Sequence, residues 1–362
     1  MRILTVLIVT IAFFACKSSQ KTSNSKNYNP TTDTLRYAQE NHLQNIKQLT
    51  FGGDNAEAYF SFNGKYLTLQ STSEKWATSC DQIFYLPISG YQGDRPPMVS
   101  TGKGRTTCSY FLPGDKQILY ASTHLASEAC PETPRVVNGK YVWAVYDSYD
   151  IFVADLNGKI IKQLTKEPGY DAEATVSPDG KKIVFTSVRS GDLELYTMDI
   201  DGSNVKQITT ELGYDGGAFF SPDSKQIIFR ASRPKKPEDV QVYKDLLSKG
   251  LVQPTNMDLF ICNADGSKLR QLTDLGGASW APFFHPSGKK VLFASNHHTP
   301  SGRVFNIFSI NTDGTGLQQL TFDTVFDSFP MFSPDGKKLV FASNRNNGGT
   351  RDTNIFIADW VD

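Results

Sequence analysis

Along most of this chain, apolar and polar positions alternate in short runs, and the runs return in register. The plainest is KKIVF, Lys181 to Phe185, entered through the turn SPDG at Ser177 and repeated almost letter for letter as SPDGKKLVF at Ser333. Proline presets φ, aspartate bonds its own backbone and glycine takes a positive φ, so the four-residue motif reverses the chain. The alternating, β-branched residues after it predict a strand. Aligning on this pattern yields six copies: SFNG at Ser61, LPGD at Leu112, SPDG at Ser177, SPDS at Ser221, HPSG at His285 and SPDG at Ser333. Their starts lie 51, 65, 44, 64 and 48 residues apart, the length of a four-stranded blade.

Two further markers keep step with the first. Gln163-Leu-Thr165, Gln207-Ile-Thr209, Gln271-Leu-Thr273 and Gln319-Leu-Thr321 each stand 14 residues ahead of a motif, and Gln48-Leu-Thr50 stands 13 ahead of the first. Asn157-Gly158, Asp201-Gly202, Asp265-Gly266 and Asp313-Gly314 supply the two-residue turn of a second hairpin. The residue just before the motif is always apolar (Phe60, Phe111, Val176, Phe220, Phe284, Phe332), which predicts a contact packed between blades. The pattern predicts an all-β, six-bladed β-propeller of four-stranded antiparallel blades. The last blade lacks its outer strand after Asn354 to Trp360, and Ile46 to Thr50 is expected to pair there and close the ring. On this reading the motif aspartates are turn residues, not catalytic ones.

This combination of Q-L-T, S-P-D-G-K-K-I-V-F and a D-G turn resembles the WD40-like propeller repeat of the TolB family, a periplasmic part of the Tol-Pal envelope system, and of related propellers in prolyl oligopeptidases and tricorn-type proteases. The resemblance spans roughly residues 46 to 360 and implies a fold more than a function. TolB itself has an additional N-terminal α/β domain, in whose place this sequence has a polar tether.

One segment breaks the pattern. MRILTVLIVTIAFFAC sets Arg2 before an apolar run from Ile3 to Ala15, shorter than the roughly twenty residues a spanning helix needs. It reads as a signal peptide over residues 1–16, and its Ala-Cys ending resembles the lipobox of bacterial lipoproteins, with Cys16 the lipidated residue. Residues 17–45, rich in Ser, Thr, Asn, Gln and Lys, read as a flexible tether containing at most a short amphipathic helix around Leu35 to Leu43. Residues 46–362 form the propeller. Lys17-Ser18-Ser19 lacks an acidic run, which points to the periplasmic side of the outer membrane. Lysine plus arginine equals aspartate plus glutamate at 37 each, so no overall field draws the chain to nucleic acid.

The two longest departures from the blade length fall on one face of the disc, near residues 123–149 and 233–257. In the second, Pro237 to Lys249 predicts a helix with Val240, Tyr243, Leu246 and Leu247 as its apolar stripe and Gly250 as its stop. Export places Cys80, Cys108 and Cys130 in an oxidising compartment, where one disulfide among them is expected; Cys262 reads as a core residue. The same face collects Arg189, Arg233, His297 and Arg345, with His124 equivalent, against Asp54, Glu57, Asp171, Glu173, Asp215 and Asp327. These form either a ring of salt bridges locking adjacent blades or a mixed-charge binding pocket. Adjacent His297 and His298 would point to opposite sides of an extended strand, and calcium on Asp171, Glu173 and Asp215 is the least implausible metal; neither a metal nor a cofactor is expected.

The chain contains no G-x-S-x-G elbow of the kind a propeller-linked peptidase requires. The sequence therefore predicts a non-enzymatic envelope lipoprotein, a monomer, whose propeller face binds a protein or saccharide partner. The alternative is a propeller-based hydrolase or lyase acting on peptide or glycan.

Overall fold

Each Ser-Pro-Asp-Gly motif closes a hairpin through the same local bonds. The Ser177 hydroxyl donates to Asp179 at 2.7 Å and accepts the Lys182 amide at 2.9 Å, while Gly180 turns the backbone at φ 72°. Ser333 repeats the pattern with Asp335 and Lys338. The Ser177 hydrogen bond holds the Asp179 carboxyl below its usual range, as expected of a turn acceptor. The turns also meet: a Cβ on Gly180 would strike the Pro113 ring of the neighbouring blade at 2.5 Å, and the Asp115 carboxylate accepts the Phe62 amide at 2.7 Å.

A computed structural model describes residues 35–134, 136–299 and 302–362. The chain forms six antiparallel sheets whose innermost strands begin at Asp54, Thr106, Asp171, Asp215, Ser279 and Asp327. Consecutive inner strands touch all the way round, the last against the first, so the sheets stand as blades about one axis. Blades two to five run inner to outer in sequence order. In the sixth, the strand Leu43–Gln48 takes the outer place beside Asn354–Trp360, antiparallel to it. Blade one has three strands, and an isolated bridge from Phe84 to Met98 stands where a fourth would run. Residues 88 to 97 there hold two glycines, an adjacent pair of prolines and turns in place of a strand pattern.

The apolar residue before each motif is buried against the preceding blade. Phe111 packs with Ile83 and Val99 of blade one, Val176 with Leu119 and Val153 of blade two, and Phe332 with Leu292 and Ile307 of blade five. Cys262 is buried in the layer between blades three and four with Val184 and Phe229.

The boundary of the tether moves. Residues 35–45, assigned to it by composition, pack on the last blade as turns leading into a strand, with Leu35 and Leu43 buried, and no α-helix forms there. The reason is one polar contact that composition hides. Glu40, fully buried, accepts from both terminal nitrogens of Arg345 at 3.1 and 2.9 Å, and Arg345 also donates to the Leu35 carbonyl. Cys16 and the signal segment lie outside the described residues.

The two excursions share a structure. The blade-two segment places Trp143–Ala144 beside Leu251–Val252 of the blade-four segment as a two-stranded antiparallel sheet. The predicted helix forms as α1 (Pro237–Leu247), burying Tyr243 and Leu246, with Gly250 at φ 66° after it. Cys80 and Cys130 are joined in a disulfide that ties the start of the first excursion to blade one, and Cys108 is a free, buried thiol.

Removing one partner of a buried ion pair strands the other, at a cost of about 3–5 kcal/mol, whereas an exposed turn hydrogen bond contributes about 1 kcal/mol. Glu40→Ala should therefore lower the urea midpoint far more than Asp179→Ala. Equal losses would show that the N-terminal segment is not integral to the last blade.

Candidate functional site

Six inner strands converge on the axis, and each carries one extra residue where they do. The register of every inner strand shifts against its neighbour at the same place. The bulged residue stands four positions before the turn motif: Glu57, Cys108, Glu173, Gly217, Ala281 and Phe329, with φ of 53, 41, 57, 58, 49 and 54°. Five of the six are not glycine, a conformation costing roughly 1–2 kcal/mol each and usually retained where a side chain must be re-aimed. Here all six line one central cavity of about 460 Å³, within the range of small-ligand sites.

Glu173 is held on every side. It accepts from Arg230 Nη2 and Nη1 at 3.0 and 3.2 Å, from the Tyr170 hydroxyl at 3.2 Å, and from the Tyr214 hydroxyl. Burial alone would raise its pKa, but the Arg230 charge and these donors outweigh it and hold the carboxyl below its ordinary value. The pair fits because blade four offers two glycines. A Cβ on Gly217 would lie 2.0 Å from Arg230 Nη1, and one on Gly216 would lie 2.3 Å from a Glu173 oxygen.

Glu57, the equivalent residue of blade one, has no such partner. Among the described residues it forms no ion pair, and Oε2 is buried without a hydrogen bond. The Cys108 thiol favours its ionised form. Burial pushes the Glu57 carboxyl up to about 7, with the Glu173 charge adding to the rise. The same burial, with Glu57 beside it, drives the Cys108 thiol well above its ordinary value, so it is not a thiolate nucleophile near neutrality.

The joined excursions roof this cavity. Trp143 enters a column of stacked groups: the Arg230 guanidinium lies 5.3 Å from its ring, Trp280 of blade five stacks on it at 5.3 Å, and Phe305 stacks on Trp280 at 4.3 Å. Tyr243 of α1 donates its hydroxyl to Asp192, whose other oxygen accepts the Gly213 amide. Leu246 packs on Val142 and Leu251 beneath the helix. The lid is thus attached to blades three, four and five.

The residues singled out from sequence divide into two groups: Asp54, Glu57, Cys108 and Glu173 lie in the cavity wall, and the others lie outside it. Arg189 donates to Asp171 at 2.8 Å and to Ser187 Oγ at 2.9 Å; Arg345 donates to Asp327 at 3.0 Å and to Ser343 Oγ at 3.1 Å; Arg233 grips Asp215 with both terminal nitrogens. Each pair joins the start of an inner strand to the end of the second strand of the same blade, so these are clamps within blades, not locks between adjacent ones. The reason is register: Asp171 is paired with Ser187 across the hairpin, which brings Arg189 back over it. The guanidiniums also lie over aromatic rings of the same blade, Arg189 on Phe185 and Tyr196 and Arg233 on Phe260.

His297 and His124 occupy the same place, each with Nδ1 2.9 Å from a serine hydroxyl, Ser295 and Ser122. His297 and His298 do not point to opposite sides. They sit in a turn, and both rings face Phe308 at 4.7 and 5.1 Å. Among the described residues no group of three His, Cys, Asp or Glu side chains could hold a metal, and Asp171, Glu173 and Asp215 each answer to a different arginine. What sequence reasoning missed is Arg230, Tyr214 and Trp280. No short motif marks them: Arg230 stands where blades three, five and six carry Thr186, Ala294 and Ala342.

Residues 130–251 match the family model described as the TolB beta propeller domain. No curated protein matches the chain. Among solved structures, a chain described as TolB from Agrobacterium tumefaciens superposes with a TM-score of 0.55 at 22% identity, over 88% of this chain and 97% of that one. TolB from Acinetobacter baumannii gives 0.51 at 21%, over 85% of this chain and 64% of that one. A gluconolactonase from Xanthomonas campestris gives 0.54 at 11%, over 88% and 91%. At such identities the likeness speaks for the fold, which these proteins share across different functions. By its repeat and its six closed blades, the chain is a six-bladed β-propeller, similar over residues 130–251 to the TolB beta propeller domain.

Proposed function

We propose that this protein is a non-enzymatic lipoprotein of the cell envelope, anchored through Cys16 and facing the periplasm from the outer membrane, whose lidded propeller face binds a protein or saccharide partner. The observation that carries the reading is the roofed central cavity, where six independent strands each deliver one bulged residue to a single space. Its walls suit holding more than reacting. The arginines that line it among the described residues are already paired, Arg105 with Asp81 and Arg230 with Glu173, and its thiol is kept protonated by burial. Among the described residues no helix is long and apolar enough to cross a membrane, so the proposed attachment rests on Cys16.

One observation favours a second reading, a hydrolase or lyase acting on peptide or glycan. Glu57 and Glu173 line one cavity with pKa values pushed apart, the first up to about 7 and the second down, the usual setting of an acid and its partner. Against it, every oxygen of Glu173 is taken by protein donors, leaving none for a substrate.

The cavity is tested by filling it. Phe329 already occupies the bulged position of blade six at φ 54°, so Ala281→Phe at φ 49° is compatible with the backbone. This variant should melt cooperatively yet lose at least about tenfold in partner capture from crosslinked envelope membranes. Undiminished capture would move the site elsewhere on the face. Separately, Cys16→Ser should shift the protein from the membrane to the soluble fraction, and persistent membrane association would sink the lipid anchor.

A further inference from the structure

One carboxyl of the cavity wall stands without a charge partner among the described residues, which the proposed binding role does not by itself explain. Among those residues the wall holds the carboxyl groups of Glu57, Asp81 and Glu173 and the guanidiniums of Arg105 and Arg230. Both guanidiniums are committed, Arg105 to Asp81 at 2.5 Å and Arg230 to Glu173 at 3.0 Å. Glu57 is left as a carboxyl group with no protein cation bonded to it among the described residues and with one oxygen unsatisfied. A half-buried acidic group with one oxygen so shut off costs stability, and blades two, four, five and six carry cysteine, glycine, alanine and phenylalanine at the same position.

The surroundings of Glu57 favour one class of occupant. Tyr59, Phe219 and Phe329 line the same cavity, with Tyr59 edge-on to Phe219 at 5.3 Å. Aromatic faces attract a cation through their quadrupole, and a carboxylate completes the site by neutralising it. An anion would meet a wall already rich in carboxylates. A neutral polyol would bond to Glu57 but leave its charge without an opposite. Beneath the lid the chain uses the same chemistry for itself, where the Arg230 guanidinium lies against Trp143 and, at 4.8 Å, against Tyr214 while paired to Glu173.

We propose that the central cavity recognises a primary ammonium group of its ligand, bound to the Glu57 carboxylate between the aromatic walls. The inference rests on the cavity being the binding site, and it names the chemistry that the site selects. The charged and titratable groups facing Glu57 are Cys108 of blade two, Glu173 of blade three, Arg230 of blade four, Asp81 in the loop of its own blade, and Tyr59 on its own strand. Of these, Glu173 and Asp81 oppose ionisation of Glu57, and Arg230 and the Cys108 hydrogen bond favour it. An ammonium ion binds the ionised form. Binding therefore strengthens as pH rises and levels off once Glu57 has lost its proton, near and above about 7.

The test titrates the full-length protein with three probes, the tripeptide Ala-Lys-Ala with blocked ends, the same peptide acetylated on Nζ, and 1,4-diaminobutane, following the fluorescence of Trp143 and Trp280. The lysine peptide should bind about tenfold more tightly for each pH unit between 5 and 7, with little change from 7.5 to 8.5. Acetylation should abolish binding. If the peptide binds and the diamine does not, the ammonium comes from a protein side chain; the reverse points to a free amine. Glu57→Gln should weaken binding at least about thirtyfold at pH 8 and flatten the pH profile. That loss cannot be put down to unfolding if the variant melts higher than the parent at pH 8, as expected when a carboxyl whose ionisation opposes folding is made neutral, and no higher at pH 4. Equal binding of the acetylated peptide, or an unchanged affinity in Glu57→Gln, would overturn the ammonium assignment. If no amine binds while Ala281→Phe still abolishes partner capture, the assignment fails and the cavity remains the site; if Ala281→Phe has no effect on capture, the site reading itself fails.

Discussion

Six strands that converge on one axis crowd one another, and the structure depends on how that crowding is relieved. Each inner strand takes one extra residue in a left-handed conformation four positions before its turn. The bulge does two things at once. It lets the strand bend away from the axis, and it turns the side chain of the extra residue inward. Because the device is repeated in all six blades, the centre of the disc is walled by six residues that the blade pattern itself does not specify. Blades can therefore remain near-copies in their turns and packing while the centre is free to differ. Here it differs as two glutamates, a cysteine, a glycine, an alanine and a phenylalanine.

Charge is handled according to depth. On the rim of the elaborated face, Arg189, Arg233 and Arg345 each close a hairpin on its own aspartate and lie over an aromatic ring, so a buried carboxylate is met by a charge-assisted donor of fixed geometry. Burial still pushes the Asp215 carboxyl up to about 6 against the opposing pull of Arg233, a sign of how dry these positions are. Arg345 extends the scheme by taking in Glu40, which fastens the N-terminal segment to the blade it completes. Toward the axis the same solution recurs in Arg230 and Glu173, made possible by Gly216 and Gly217. Glu57, in the same cavity, departs from it.

The lid shows how insertions gain a structure that neither would have alone. A two-residue strand from each excursion pairs with the other, a helix covers the pair, and Trp143 is held between a guanidinium and a second tryptophan. Two-stranded pieces of this length are not stable in isolation, so their order comes from the aromatic column and the apolar contacts beneath the helix. The disulfide between Cys80 and Cys130 fixes the first excursion where it leaves the disc.

Local physics made much of this legible in the sequence. Turn chemistry at Ser177 and its relatives, the Gln-Leu-Thr and Asp-Gly markers, the apolar residue before each turn and the α1 stripe with its glycine stop all act within a few residues, and they determined the six blades and the helix. What lay beyond reach involved partners far apart in the chain. Glu40 meets Arg345 across 305 positions, so composition assigned its segment to the tether. Arg230 meets Glu173 across 57, and Trp143 reaches Trp280 only through a lid assembled from two insertions. The arginine and aspartate ring was visible as a set of charges, but hairpin register decided that each pair stays within one blade. The bulge was hidden for a different reason: an extra residue in a strand leaves no mark on an alternating pattern that spans only six positions. The sequence by itself thus determined the scaffold, because repeated local signals add up, while tertiary structure decided which side chains face the axis and which charges remain unpaired, because both depend on contacts between blades that share no local sequence.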